Sequence, residues 1–363
     1  MALHFHRLTV KRVSPDAAGS AAITFAVPQD LRSTFNFKPG QFLTLRAEVK
    51  GSETRRSYSI CSPHQRFERA LEIDVGIKPV AGGVFSPWAI EHLAEGASIE
   101  VLPPDGRFTP RLPGARHRVG FAAGSGITPV LSIIATTLAA EPGSRFTLVY
   151  GNQRSNTIMF NEALQDLKDR YPARLSLVHL LSRQPQEVAL LNGRLDESKV
   201  GELLSGLVPA DSIDEAFICG PEAMIAGVEK ALLAGGVPPD RIHSERFFSS
   251  DNSAIPLPSR AAIKPVAASA GGHSLHVVLD GKTHHLQMGG GEHVLDAALG
   301  AGLDLPYSCR GGVCCTCRAR VLEGEVTMDK NFTLEQWEID KGFVLTCQAR
   351  AVSREVRVSY DER

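Results

Sequence analysis

Over the first 110 residues, apolar and polar positions alternate in short runs at 6–13, 21–27, 41–49, 57–61 and 71–77, separated by glycine and proline. A period of two marks strands with one buried face, and several short ones in succession predict a small antiparallel β-barrel. From about residue 116 the pattern changes. Apolar runs at 118–123, 146–150 and 216–219 alternate with stretches of helical period at 129–140, 160–170 and 221–234. Such alternation predicts an α/β domain with a parallel sheet. Residues 249–272 are rich in Ser, Ala and Pro, show no apolar period, and read as a linker. The expected order is a barrel over 1–112, an α/β domain over 113–248, the linker over 249–272, and a small Cys-rich domain over 273–363.

Charge and composition narrow the function classes. The chain of 363 residues carries 39 Lys and Arg against 40 Asp and Glu, a formal charge of −1. Without a basic excess, nucleic acid is not an expected partner. No run approaches the roughly 18 apolar residues of a membrane helix. The N-terminal MALHFHRLTVKRV has no apolar export core. A cytoplasmic protein without a membrane partner is expected. There are seven cysteines, an odd number, and four fall within 309–317. In a chain not destined for export this favours a metal or cluster site over disulfides.

Cys309, Cys314, Cys317 and the distant Cys347 fit C-x4-C-x2-C…C, the plant-type spacing for a 2Fe-2S cluster. Soft thiolates suit iron–sulfur centres. Gly311 and Gly312 let the loop close tightly, with N–H groups aimed at sulfur. The alternative is structural zinc, which more often uses two separated C-x2-C pairs or Cys/His sets. Cys315 fits no slot and is expected to be an inert neighbour. The approach DAALGAGLDLPYSC at 296–309 and the segment VLTCQA at 344–349 resemble plant-type ferredoxins. The resemblance runs over 274–358 and implies an α+β, β-grasp-like domain.

Arg56-Ser57-Tyr58-Ser59 has the form R-x-Y-S. An Arg can pair with a flavin phosphate. A Tyr ring can stack on isoalloxazine, and a Ser hydroxyl can reach the flavin N5 edge. Further on stand Gly82, Gly83, Val84 and Ser86, a glycine turn that opens a helix. Free N–H groups at a helix start favour a diphosphate. Together these stretches resemble the flavin domain of the ferredoxin-NADP reductase superfamily. The resemblance implies FAD rather than FMN, with Ser57 and Tyr58 among its contacts.

Gly124-Ser125-Gly126-Ile127-Thr128-Pro129 follows an apolar strand and precedes a helix, where a dinucleotide phosphate loop belongs. Pro129 stands where a third glycine is usual, and proline suits a first helical turn. Cys219-Gly220-Pro221 also follows a strand. In the superfamily the matching Cys lies beside the nicotinamide; a buried small Cys is the plainer reading. Arg154, Ser155 and Arg183 end two strands that carry no acid, which favours NADPH over NADH. Glu245 stands where relatives keep an acidic or aromatic residue near the flavin. It is expected to bind the nicotinamide amide or relay a proton, or else to be a domain-edge charge. Ser59, Cys219 and Glu245 are the expected catalytic residues.

The whole chain resembles the reductase components of bacterial multicomponent oxygenases. That resemblance implies a route from NADPH through FAD and a 2Fe-2S cluster to a di-iron oxygenase partner. Ring-hydroxylating dioxygenases, desaturases and hybrid-cluster proteins are alternative acceptors. Two readings compete with this one: a zinc module fused to a flavoprotein, and a diaphorase that needs no protein partner. Residues 273–363 hold ten basic and thirteen acidic groups, a charge of −3, compatible with docking on a basic patch.

Overall fold

The computed structural model describes residues 4–247 and 272–362. The expected linker lies outside the described residues, except for Gly272.

The N-terminal part is a six-stranded antiparallel sheet built from β1 (His6–Pro15), β2 (Ala21–Ala26), β3 (Phe42–Val49), β4 (Ser52–Ser59), β5 (Glu72–Ile77) and β6 (Ser98–Val101). The order is β4-β3-β6-β1-β2-β5. A bridge between Ile60 and Val75 joins the two outer strands, and the Cys61 N–H donates to the Asp74 carbonyl at 2.9 Å. The sheet therefore curls into a barrel. Inward residues such as Leu8, Ile23, Phe25, Leu43 and Val75 form its core. Helices α1 (His64–Ala70) and α2 (Phe85–His92) connect strands. Helix α1 and two strand features escaped the sequence pattern. β4 starts five residues earlier than expected, because 52–56 is polar and its register comes from the hairpin turn at Lys50 and Gly51, both at positive φ. β6 is only four residues long, too short to show a period.

The second part is a five-stranded parallel sheet with helices on both faces. Its elements are β7 (His117–Ala123), α3 (Ile127–Ala140), β8 (Arg145–Asn152), α4 (Asn161–Arg170), β9 (Leu175–Leu181), α5 (Glu197–Leu204), β10 (Glu215–Gly220), α6 (Glu222–Ala234) and β11 (Ile242–Arg246). The order is β11-β10-β7-β8-β9. The chain leaves β7 toward β8 and β9, then returns to the other side of β7 for β10. A crevice opens at such a switch point, outside the carboxyl ends of the strands. Barrel and α/β part pack closely. The Asp16 carboxylate accepts the Phe160 N–H at 2.9 Å, and Ser132 Oγ donates to the Ser62 carbonyl at 2.7 Å. Gly76 is small of necessity, since a Cβ there would stand 2.4 Å from a Thr128 methyl.

The C-terminal part has a sheet ordered β13-β12-β18-β14-β16, with a small pair, β15 and β17, beside it. The elements are β12 (His273–Leu279), β13 (Lys282–Met288), α7 (Val294–Gly300), β14 (Arg318–Glu323), β15 (Val326–Met328), α8 (Gln336–Asp340), β16 (Phe343–Leu345), β17 (Ala349–Ala351) and β18 (Glu355–Ser359). First and last strands, β12 and β18, run parallel at the centre, and α7 packs across the sheet core, the expected α+β, β-grasp-like build. Among the described residues no helix is long and apolar enough to cross a membrane.

Candidate functional site

The R-x-Y-S stretch occupies the end of β4. Ser59 is buried there and its hydroxyl donates to the Glu245 carboxylate at 3.0 Å. Tyr58 is half-buried, its ring 6.0 Å from Phe85 at the start of α2. Burial pushes the Tyr58 phenol well above its ordinary pKa, so it stays neutral. Arg56 is half-exposed and donates to its neighbour's carbonyl at 2.8 Å. Ser57 shares a 3.0 Å hydrogen bond with Thr44 and also donates to Ser308 in the C-terminal part at 2.8 Å. The glycine turn is closed locally. Gly83 N–H donates to the Val80 carbonyl at 2.9 Å, and Val80 N–H to Ser86 Oγ at 3.0 Å. Gly82 has open space around it and Val84 is exposed, which leaves room at the start of α2.

At the switch point, Gly124–Gly126 forms one 3-10 turn that runs into α3. Gly126 must lack a side chain, since a Cβ there would stand 2.0 Å from the Cys219 carbonyl oxygen. Thr128 is buried and its hydroxyl donates to the Ser125 carbonyl at 3.0 Å. Pro129 sits in the first turn of α3, where its missing N–H leaves nothing unpaired. Across from it, Gly220 and Pro221 end β10 and open α6. Arg154, Ser155 and Arg183 gather at the ends of β8 and β9. Arg183 N–H donates to the Gln153 carbonyl at 2.9 Å, and Ser155 donates through N–H and hydroxyl to Gln184. Both Arg side chains are exposed, and the described residues give neither a carboxylate partner. Lys78 was not foreseen. It follows β5 and brings its ammonium to within 3.9 Å of where a Gly124 Cβ would be, a cation beside the Gly124–Gly126 turn.

Cys219 and Glu245 are register partners on β10 and β11. Burial pushes the Cys219 thiol well up, and the Glu245 charge adds to the shift, so the sulfur is a neutral thiol. Burial pushes Glu245 up to about 8, against the opposing pull of the Ser59 hydrogen bond. The carboxyl is therefore protonated at neutral pH. A cleft of about 780 Å³ opens on Glu245, while Cys219 is fully buried and not among the lining residues. Ser57, Ser59, Glu245 and Phe247 line one side; Cys314 and Cys315 of the cysteine loop line another. The volume falls in the range of cofactor pockets.

The four expected ligands form two pairs. Cys309 and Cys314 hydrogen-bond each other, as do Cys317 and Cys347. Among the described residues no three His, Cys, Asp or Glu side chains converge as a single metal ion would need. Two pairs of thiolates suit a binuclear cluster, two per iron, better than one zinc ion. The N–H groups of Gly311 and Cys314 point at Cys309 Sγ at 3.3 and 3.4 Å, and the Gln348 amide lies 3.8 Å from Cys347 Sγ. The Cys314 hydrogen bond and these N–H groups hold Cys309 below the usual thiol range. Cys315 is buried, outside both pairs, at φ +57°.

The cysteine loop faces the barrel because two sets of ion pairs hold it there, and no sequence pattern announced them. Asp304, just before the loop, accepts Arg55 at 2.6 Å and Arg46 at 2.9 Å; Arg55 also donates to the Leu305 carbonyl at 2.8 Å. On the other flank Arg107 pairs with Glu338, and Arg111 with Glu335 at 2.8 Å.

Models of three families match the chain in order: an oxidoreductase FAD-binding domain over residues 8–109, an oxidoreductase NAD-binding domain over 121–230, and a 2Fe-2S iron-sulfur cluster binding domain over 277–352. One of the subunits of 1,2-phenylacetyl-CoA epoxidase from Escherichia coli (strain K12) is 44% identical over 362 residues, 99% of this chain and 98% of the relative. The ferredoxin reductase component of 3-ketosteroid-9-alpha-monooxygenase from Rhodococcus rhodochrous is 35% identical over 97% of this chain and 96% of its own length. Among solved structures, phthalate dioxygenase reductase shares the fold at a TM-score of 0.60 and 22% identity, covering 98% of both chains.

Proposed function

The chain belongs to the ferredoxin-NADP reductase superfamily, among the oxygenase reductases that end in a plant-type 2Fe-2S domain, and from that premise we propose that it carries electrons from NADPH to the di-iron oxygenase of a phenylacetyl-CoA epoxidase. One observation carries the electron-transfer reading: Ser59, Glu245 and the Cys314 loop, from three separate domains, line one cleft. Bound there, FAD would take a hydride and release electrons singly, and a 2Fe-2S cluster would carry them one at a time.

The chain's own residues then have these roles. Ser59 offers a hydroxyl at the reacting edge, and Glu245 holds a proton beside it. Cys219 fills the wall behind the nicotinamide as a neutral thiol. Arg56, Ser57 and Tyr58 with Gly82, Gly83, Val84 and Ser86 hold the flavin nucleotide, while Gly124, Gly126, Thr128, Gly220 and Pro221 shape the nicotinamide loop. Arg154, Ser155 and Arg183 read the 2′-phosphate, which selects NADPH. Cys309, Cys314, Cys317 and Cys347 hold the cluster. The 44% identity to a component of that epoxidase supports this choice of acceptor. A nicotinamide-fed protein with a thiolate-held cluster fits the reducing cytoplasm.

The test is an anaerobic titration of the purified protein with NADPH, read by optical and EPR spectra. Flavin bleaching followed by a rhombic S = 1/2 cluster signal is expected. Bleaching without that signal, in protein that contains zinc and no iron, would overturn the reading. The acceptor is tested separately by mixing the reduced protein with purified phenylacetyl-CoA epoxidase oxygenase and measuring its NADPH-dependent turnover. No turnover there, with turnover by a steroid or ring-hydroxylating oxygenase, would move the assignment to that partner.

A further inference from the structure

Glu338 in α8 is fully buried, although it carries a carboxylate. Its oxygens are held by two guanidinium groups: Arg107 of the barrel domain grips it with two nitrogens, and Arg318 of the ferredoxin domain with a third. Glu338 also accepts the Glu335 N–H at 3.1 Å, which closes the start of its own helix. Arg318 directly follows the cluster residue Cys317. Arg107 and Arg318 line the same cleft as Cys314 and Cys315. Losing either Arg would leave the buried Glu338 charge less compensated, so the contact ties the two domains together while it lasts.

The charges are unevenly distributed. Glu338 and Arg318 belong to the ferredoxin domain and cancel wherever that domain is. Arg107 belongs to the barrel and adds a positive charge beside the cluster loop only while the domains are in contact. A 2Fe-2S centre gains one negative charge on reduction, and a nearby cation favours the more negative form. Resting on the electron-transfer reading above, we propose that Arg107 is a positioning residue for the flavin-to-cluster step: the Arg107–Glu338–Arg318 triad clamps the ferredoxin domain and supplies the positive charge that favours cluster reduction only while clamped. The step moves one electron from reduced flavin to the cluster, and the triad takes up no proton. Clamping therefore helps the cluster accept an electron, and release helps it give that electron to an external acceptor. By reciprocity, reduction of the cluster tightens the clamp.

The test uses the full chain with flavin and cluster bound. An EPR-monitored redox titration should show the cluster of Arg107→Gln lowered by the equivalent of a three- to tenfold change in the reduced-to-oxidised ratio. That is ~28 to 59 mV at 59 mV per tenfold for one electron. Arg107→Lys, which keeps the charge, should restore the parental value. Hydrogen exchange of the α8 amides should be slower in dithionite-reduced than in oxidised protein, and this comparison needs no variant. An unchanged potential in Arg107→Gln, or α8 exchange that ignores the redox state, would overturn the proposal. Failure of NADPH to produce any cluster signal in the unsubstituted protein would instead overturn the electron-transfer reading beneath it.

Discussion

The hydroxyl of Ser59, at the end of the second barrel hairpin, donates a 3.0 Å hydrogen bond to the carboxylate of Glu245 on the edge strand of the parallel sheet. The contact ties together two domains and marks where their cofactors would meet. Burial lifts the Glu245 carboxyl from 4.5 to about 8. Below that pH it is a neutral acid; above it, a shielded anion faces the site where negative charge arrives with the hydride. The rate of flavin reduction by NADPH should therefore fall several-fold through an inflection near pH 8. Glu245→Gln, neutral at every pH, should abolish the inflection, as stopped-flow profiles would show. Stability has a matching sign. A carboxyl whose folded pKa is raised costs stability once the pH passes the unfolded value near 4.5, and the cost grows until about 8. Thermal melts should show Glu245→Gln gaining on the parent across that window.

Nucleotide preference is expected to rest on Arg154 and Arg183. Both are exposed at the strand ends, beside Ser155, and among the described residues neither has a carboxylate partner. A guanidinium–phosphate hydrogen bond contributes roughly 1.5–3 kcal/mol. Replacing either Arg with Ala should lower the NADPH-to-NADH ratio of kcat/KM by about 10- to 100-fold, with NADH turnover little changed. An unaltered ratio in the double variant would overturn the role assigned to Arg154 and Arg183.

Cys315 separates ligand from bystander in the cysteine loop. It is left out of both thiol pairs and holds a left-handed backbone, φ +57°, that glycine adopts more readily. Cys315→Gly should keep the full 2Fe-2S absorption and EPR signal. Cys309→Ser, Cys314→Ser, Cys317→Ser and Cys347→Ser should each lose or distort the signal.

Local chemistry made most of the site legible. The spacing of Cys309, Cys314 and Cys317 belongs to one loop, and the Gly124–Gly126 turn to one strand–helix junction, so neighbouring residues carry the whole signal. Ser57 shows the limit. It lies in the flavin motif, yet its hydroxyl reaches across the domain interface to Ser308. Lys78 was missed because a single Lys after a strand is ordinary until the fold lays Gly124 beside it. The pairs Arg55–Asp304 and Arg107–Glu338 were missed for the same reason: each joins residues more than 230 positions apart. A charge reveals nothing about its remote partner. The short β6 and the polar start of β4 were missed because a strand recruited by its neighbours needs no apolar period of its own.

Glu215 tests whether the site depends on support behind it. The side chain is 1% exposed at the start of β10. It accepts the Arg111 N–H at 2.7 Å, Arg118 at 2.9 Å and the His243 ring at 3.1 Å. His243 lies two residues before Glu245 on β11, so Glu215 anchors the strand that presents the acid. Burial alone would raise its pKa, but the His243, Arg111 and Arg118 hydrogen bonds outweigh it and bring the carboxyl down to about 2. A carboxylate depressed in this way stabilises the fold above its unfolded pKa of about 4.5, and that contribution is lost as the pH falls toward 2. Glu215→Gln breaks a buried ionic network and should cost about 3 kcal/mol near neutral pH. The difference from the parent should shrink as the pH drops below 4.5, as urea midpoints at several pH values would show. Flavin reduction by NADPH should slow several-fold in the same variant, with the cluster spectrum intact, because the partners Glu215 holds among the described residues lie outside the ferredoxin domain. A variant that loses stability but reduces flavin at the parental rate would confine Glu215 to the fold and leave Ser59 alone to position Glu245.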